Sequence, residues 1–223
     1  MSFGEINLEL LEGLLYTLLI FASTLIIALP LGLLIAMGSK SKIKIISWIV
    51  KAFVWVIRGT PLMLQLIAYL FIPSALSDLF GWDFYVRGSM AKLMLVIIAF
   101  SVNYACYFSE IYRGGIQSIP KGQYEAAQVL GMSKSQTFFK VIFLQVVKRV
   151  IPPMSNEIIT LVKDTALASV IISVDLFTVA KSLVNTQVTL FPLFYAGVFY
   201  LVVNGLLTIF LGKMEKKLDY FKV

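Results

Sequence analysis

The sequence predicts an all-α membrane protein, with five transmembrane helices and a helical elbow on the cytoplasmic side. Three observations predict it. Of 223 residues, 59% are hydrophobic and 14% charged, and the mean hydropathy is +0.90, too apolar for a surface that must face water everywhere. Apolar stretches long enough to cross a hydrocarbon core of about 30 Å recur along the chain. Basic residues cluster directly after several of these stretches, which is the pattern of loops kept in the cytoplasm. The composition also narrows the chemistry. Histidine is absent and Cys106 is the single cysteine, so the usual metal-ligand sets, Cys-His nucleophiles and internal disulfides are excluded, and no catalytic or metal site is expected. The net charge of +7 belongs to membrane topology and does not point to nucleic acid.

The elements follow in order. Residues 1–12 carry Glu5, Glu9 and Glu12 and no Lys or Arg, so they are expected to form an external segment without the basic leader of a signal peptide. The first span runs from about Gly13 to Met37, and Lys40, Lys42 and Lys44 follow it; this end is inside. From Ile45 to Leu76 the apolar stretch is too long for one straight crossing, and Arg58-Gly59-Thr60-Pro61 interrupts it. Proline at that point predicts a break, with an inner-leaflet piece to Ile57 and a crossing from Pro61 to about Leu76. The loop from Ser77 to Ser89, with Asp78 and Asp83 against Arg87, is then external. A third span, about Met90 to Tyr112, returns the chain to Arg113, Lys121, Lys134, Lys140, Lys148 and Arg149. The next candidate, Ile151 to Ser173, is weakened by Glu157, Lys163 and Asp164. Charge placement nevertheless requires it: the last helix, about Phe191 to Leu211, ends in Lys213, Lys216 and Lys217, and two basic inner ends need two crossings between them. The division is an external segment 1–12, a transmembrane domain 13–212 with a cytoplasmic loop at about 114–150, and a cytoplasmic tail 213–223.

An ionised side chain at mid-bilayer costs at least about 2.5–3.5 kcal/mol, so such residues face a cavity or a partner. The fourth span holds three. With about 100° per residue and Glu157 at zero, Asp164 falls near −20°, Thr160 near −60°, Asn156 near −100° and Lys163 near −120°. These five form one polar arc. Lys163 and Asp164 point about 100° apart and are not an intrahelical pair. The arc is either interhelical glue or the lining of a hydrated path, and its mixture of donors and acceptors of both signs suits a zwitterionic solute. On the third span Asn103, Tyr107 and Glu110 make a second polar stripe, with Asn103 at the depth of Asp164; Glu110 has the alternative of pairing with Arg113 at i+3. Gln65, one turn after Pro61, is expected to be a helix-helix hydrogen bond.

In the long loop, Ile119-Pro120-Lys121-Gly122 followed by the run Gln123 to Leu130 reads as a short helix closed by Gly131 in the left-handed conformation. Ser133 followed by Gln136 is a capping-box signature for the next helix, through Phe138, Phe139, Val141 and Ile142. Such an elbow, with small Ala126 and Ala127 beside Glu125, suits either a partner's groove or the membrane surface.

The run Glu125-Ala126-Ala127, three residues, Gly131, nine residues, then Val141-x-Phe143-Leu144 resembles the EAA loop of ABC transporter permeases. Phe143 and Leu144 stand where that pattern has leucine and proline. Arg58-Gly59-Thr60-Pro61, Glu110-Ile111-Tyr112-Arg113-Gly114-Gly115, Pro120-Lys121-Gly122-Gln123, Pro152-Pro153 and the run Leu161 to Val170 are similar to the polar amino acid uptake branch. The similarity extends from about Gly13 to the C-terminus.

The resemblance implies a permease subunit of an ATP-driven importer in a bacterial cytoplasmic membrane, working by alternating access. The solute would be a polar amino acid, among them arginine, lysine, histidine and glutamine. Lys121, Tyr124, Glu125, Ala126, Ala127 and Gly131 would couple to an ATPase, and Asn103, Glu110, Glu157, Lys163, Asp164 and Thr165 would meet the solute. The chain contains no phosphate-binding loop of the Gly-x-x-x-x-Gly-Lys-Ser/Thr kind. ATP and Mg are therefore expected in a partner ATPase dimer, beside a second permease subunit and an extracytoplasmic amino-acid-binding protein. The sequence also admits an ion-coupled secondary carrier, which would use the intramembrane carboxylates as ion sites, and a membrane scaffold that transports nothing.

Overall fold

A computed structural model describes residues 3–81 and 85–218. They are helical throughout, apart from short turns. Helix α1 (Phe3–Ser39) is followed by α2 (Lys44–Gly59), α3 (Leu62–Phe80) and α4 (Ser89–Gln117). The elbow comprises α5 (Lys121–Val129) and α6 (Lys134–Thr137). A wide helical turn (Phe138–Ile142) leads into α7 (Phe143–Asp164), then a tight turn (Thr165–Val170), α8 (Leu176–Gln187) and α9 (Phe191–Leu218).

Four of these helices are long and apolar enough to cross a membrane: α1, α3, α4 and α9. Helix α7 is not among them, because Glu157, Lys163 and Asp164 dilute its apolar residues. It also ends at Asp164 instead of running on to Ser173. Helix α1 begins well before Gly13, so Glu5, Glu9 and Glu12 are part of a helix that continues the first span. At about 1.5 Å per residue, its 37 residues exceed a 30 Å core, so acidic residues fit at an end that protrudes. The expected loop residue Asp83, the first two residues, and 219–223 of the expected tail lie outside the described residues.

Pro61 breaks the chain where the sequence predicts. Thr60 and Pro61 are both extended (φ −118°, ψ 145° and φ −61°, ψ 132°), since the ring of a proline drives the preceding residue out of the helical region. Helix α8 is an element that the span-by-span reading passes over. Its signals are local: Asp175 caps it, accepting from the backbone N–H groups of Phe177 and Thr178, and Leu176, Ala180 and Leu183 form its buried face.

Helix α4 is the axis of the bundle. Phe100, Tyr104, Ala105 and Phe108 are fully or almost fully buried in the main core, with Ile20, Ala28, Leu66 and Leu161 around them. Gly32 lets α1 approach closely, since a Cβ there would stand 2.9 Å from the carbonyl oxygen of Ala105. A smaller cluster joins the start of α1 to α8 and α9 through Leu10, Leu176, Ala180, Leu183 and Ala196. Outside these clusters the helices present large apolar side chains, among them Ile26, Leu34, Phe71, Phe194 and Leu201, as a surface surrounded by lipid requires.

Candidate functional site: a charged face across three helices

The break between α2 and α3 is held by one side chain. Gln65 donates to the carbonyls of Ile57 (2.7 Å) and Thr60 (3.1 Å) and to the Thr60 hydroxyl (2.8 Å). Its oxygen accepts from Asn103 of α4 at 2.8 Å. Asn103, expected to face a solute, is 4% exposed and spends its amide on this clip. Gln65 is the helix-helix hydrogen bond that the sequence predicts.

The clip fixes the end of α2 and, with it, Arg58. The Arg58 guanidinium lies 5.0 Å from the centroid of the Tyr107 ring and 3.8 Å from Oε2 of Glu110. Glu110 is already engaged, because both its oxygens accept from Arg113: Nε at 2.9 Å to Oε1, and Nη2 to Oε2. The Glu110–Arg113 pairing admitted by the spacing is therefore formed, and it leaves the carboxylate as an anchor instead of a free ligand.

One face of α7 meets this group. Asp164 accepts from the Tyr104 hydroxyl at 2.7 Å, which places it at the depth of Asn103, one residue along α4. Glu157, two turns before Asp164 on the same face, is partly buried and lies in the fields of Arg58 and Asp164. Thr160 is partly buried and Asn156 exposed, with the Thr160 hydroxyl donating to the Asn156 carbonyl at 3.0 Å. Lys163 is exposed on another part of the helix. Thr165 is fully buried, and its hydroxyl donates to the Val162 carbonyl at 2.6 Å, so it closes the end of α7. Of the six residues expected to meet solute, Glu157 and Asp164 come together. Asn103, Glu110 and Thr165 are engaged within the fold, and Lys163 is exposed but within the field of Asp164.

Sequence reasoning placed Tyr107 on a polar stripe of α4 but missed Tyr104 and Arg58 as members of this face. Arg58 carried a signal, a permanent charge inside an apolar stretch, but it was absorbed into the helix break. Tyr104 carried none, because its role depends on α7 crossing α4 at that level.

The elbow is built as its residues predict. Helix α5 ends in a Schellman motif: Met132 N–H donates to the Ala127 carbonyl (3.0 Å) and Gly131 N–H to that of Gln128 (3.0 Å), with Gly131 at φ +70°. Ser133 and Gln136 form the capping box. Lys121, Tyr124, Glu125 and Ala126 are exposed, whereas Ala127 is buried and packs inward. Val129 and Leu130 are 88% and 78% exposed. Beside them Tyr124, Gln128, Met132, Lys134 and Phe138 line an open groove of about 640 Å³. Gln145 of α7 reaches Gln123 of α5 (3.3 Å), and Arg149 bonds the carbonyl of Ser118 at the end of α4, so α7 is tied to the elbow and to α4. Lys40, just past α1, is brought near the same end of α4; burial and the neighbouring Arg113 hold its ammonium below the usual range.

A family model described as the binding-protein-dependent transport system inner membrane component matches residues 28–220. The chain is 33% identical to the L-cystine transport system permease protein TcyB of Bacillus subtilis (strain 168), over 94% of this chain and 86% of that one. It is 37% identical to the arginine transport system permease protein ArtQ of the same bacterium, over 94% and 92%. In three dimensions it matches a chain from the crystal structure of an amino acid ABC transporter with histidines at a TM-score of 0.83 and 29% identity, covering 96% of this chain and 95% of that one.

Proposed function

The chain belongs to the family of binding-protein-dependent transport system inner membrane components and is the permease subunit of an amino acid ABC importer in the cytoplasmic membrane; on that premise we propose that its solute passes along the Arg58–Glu157–Asp164 face. In this reading α7 is the fifth crossing. A helix carrying Glu157 and Asp164 is poorly soluble in lipid alone, but a second permease subunit would cover the face and enclose a polar route. The N-terminus is outside and the C-terminus inside, which puts the elbow and Lys40, Lys42 and Lys44 in the cytoplasm.

The elbow is then the coupling element, with Lys121, Tyr124, Glu125 and Ala126 on its exposed side and Val129 and Leu130 beside them. These seat in a groove of a cytoplasmic ATPase, which binds ATP and Mg. An extracytoplasmic binding protein delivers the amino acid. Nucleotide can move the permease between inward- and outward-open states only by binding one of them better, and a swing from about 1:99 to 99:1 takes about 5.5 kcal/mol. Closure of an ATPase dimer around ATP would supply this through α5. Because α5 is bonded to α7 through Gln123 and Gln145, a displacement of α5 pulls on the helix that carries Glu157 and Asp164.

The observation that carries the proposal is the joining of Asp164 to Tyr104, which sets an ionisable group against the central helix on a face that the single chain leaves partly open. The test is uptake in liposomes containing the permease, its ATPase and its binding protein. Glu157→Gln and Asp164→Asn should each lower ATP-driven accumulation by about tenfold, the loss of one charged hydrogen-bond partner, while the complex still assembles. Accumulation at the wild-type rate in both variants would remove the route from this face. The narrower idea that Glu157 with Asp164 selects cationic amino acids fails if Glu157→Gln leaves arginine and lysine uptake untouched.

A further inference from the structure

We propose that Arg58 is the anion-binding station of the solute path, its guanidinium receiving the α-carboxylate that every amino acid carries. This rests on the reading of the Arg58–Glu157–Asp164 face as the path and adds a residue and a ligand group to it. At the sequence level Lys163 is the cation paired with a carboxylate; the structure favours Arg58.

Four observations support the assignment. Arg58 is aimed by its surroundings: the Gln65 clip grips the backbone on both sides of it, at Ile57 and Thr60. Its guanidinium is steered by the Tyr107 ring and by Glu110 at 3.8 Å. It is steered without being saturated, since both Glu110 oxygens are taken by Arg113, and no Arg58 N–H makes a hydrogen bond to any described residue. The side chain is 41% exposed, at the level of Tyr107, one turn of α4 beyond Asn103. The planar fork of donors on an arginine matches a carboxylate in two-point geometry, and unspent donors beside apolar helices favour a polar occupant. Finally, Arg58 lies in reach of the field of Glu157, a group suited to an ammonium, whereas Lys163 acts on Asp164 from an exposed position about 100° round α7. A zwitterion needs both signs on one surface, and Arg58 supplies the positive one.

The test uses the whole importer in liposomes, supplied with radiolabelled common amino acids and L-cystine as a mixture, and compares solute accumulated with ATP hydrolysed. Arg58→Gln should lower accumulation about tenfold or more while ATP hydrolysis stimulated by the binding protein stays within about twofold of wild type. Arg58→Lys keeps the charge and loses the fork, and should fall between the two. Lys163→Gln should remain close to wild type. If Arg58→Gln does not assemble, Arg58→Lys decides: less solute per ATP supports the proposal, and wild-type uptake overturns it. A parallel fall of uptake and hydrolysis in Arg58→Lys also overturns it, by making the residue a structural brace. So does loss of uptake in Lys163→Gln with Arg58→Gln unaffected. Asp164→Asn separates the levels: wild-type uptake there sinks the path itself, whereas a defect there with normal uptake in Arg58→Gln sinks this inference alone.

Discussion

Single side chains do two kinds of work in this protein, and their burial distinguishes them. Gln65 and Asn103 are buried and satisfy each other across α3 and α4; they hold a helix break closed. In a membrane interior such a pair contributes about 0.6 kcal/mol on average and up to about 1.7. A double-mutant cycle with Gln65→Leu and Asn103→Leu, read by SDS unfolding, should return a coupling in that range, and additive effects would mean that the clip is energetically idle. Asp175 is the second case. It is fully buried, and burial pushes its carboxyl above the usual range, but two backbone N–H groups and the Thr178 hydroxyl (2.6 Å) bond to it and oppose that shift. Replacing an N-cap of this kind by alanine costs about 1–2 kcal/mol. Asp175→Ala should therefore lower the unfolding midpoint, while Asp175→Asn, which keeps an acceptor, should lower it less.

At the scale of elements, the elbow and the contact between α4 and α7 are the places where geometry leaves little choice. Gly131 at φ +70° occupies a conformation that costs an L-residue with a β-carbon about 1–2 kcal/mol. Gly131→Val should redirect α6 relative to α5 and lower uptake and stimulated ATP hydrolysis together, with the isolated permease still folded. Gly115 meets α7 so closely that a Cβ would collide with the side chain of Val150. Overpacking of this kind typically costs about 1–3 kcal/mol. Gly115→Ala should destabilise the protein, and Val150→Ala should recover part of the loss; independent, additive destabilisation would refute the contact. Helix α7 shows how hydropathy undervalues a helix whose polar residues have partners. Asp164 bonds α4 through Tyr104 and Glu157 lies in the field of Arg58, and an average along the sequence cannot tell a charge facing a partner from one facing lipid.

For the molecule as a whole, orientation and energy source are the outstanding physical statements. The proposed orientation has Lys42 inside and Thr189, between α8 and α9, outside. In a Cys106→Ser background, Lys42→Cys should react with an impermeant thiol reagent only after the membrane is opened, and Thr189→Cys in intact cells; the reverse pattern would invert the topology. Uptake should stop when ATP is depleted with the ion gradients maintained. Transport that instead survives ATP loss and collapses with the gradient would identify an ion-coupled carrier.

By itself the sequence determined whatever depends on nearest neighbours and on averages along the chain. Pro61 excludes helix at its own junction, Gly131 and the Ser133–Gln136 pair terminate and restart the elbow, and lysine clusters mark the ends of spans; each acts within a few residues, so each was legible. Helix α8 was legible in the same way, through Asp175 and the buried spacing of Leu176, Ala180 and Leu183, although it is too short to stand out by hydropathy. Which polar residues share a face was decided only by tertiary structure. Asn103 and Thr165 are as polar as Tyr104, but α3 and the end of α7 claim their hydrogen bonds. Arg58 and Asp164 lie more than a hundred positions apart in the chain, and they reach one surface because α2 and α7 both pack on α4, a juxtaposition set by packing between helices that no local pattern encodes.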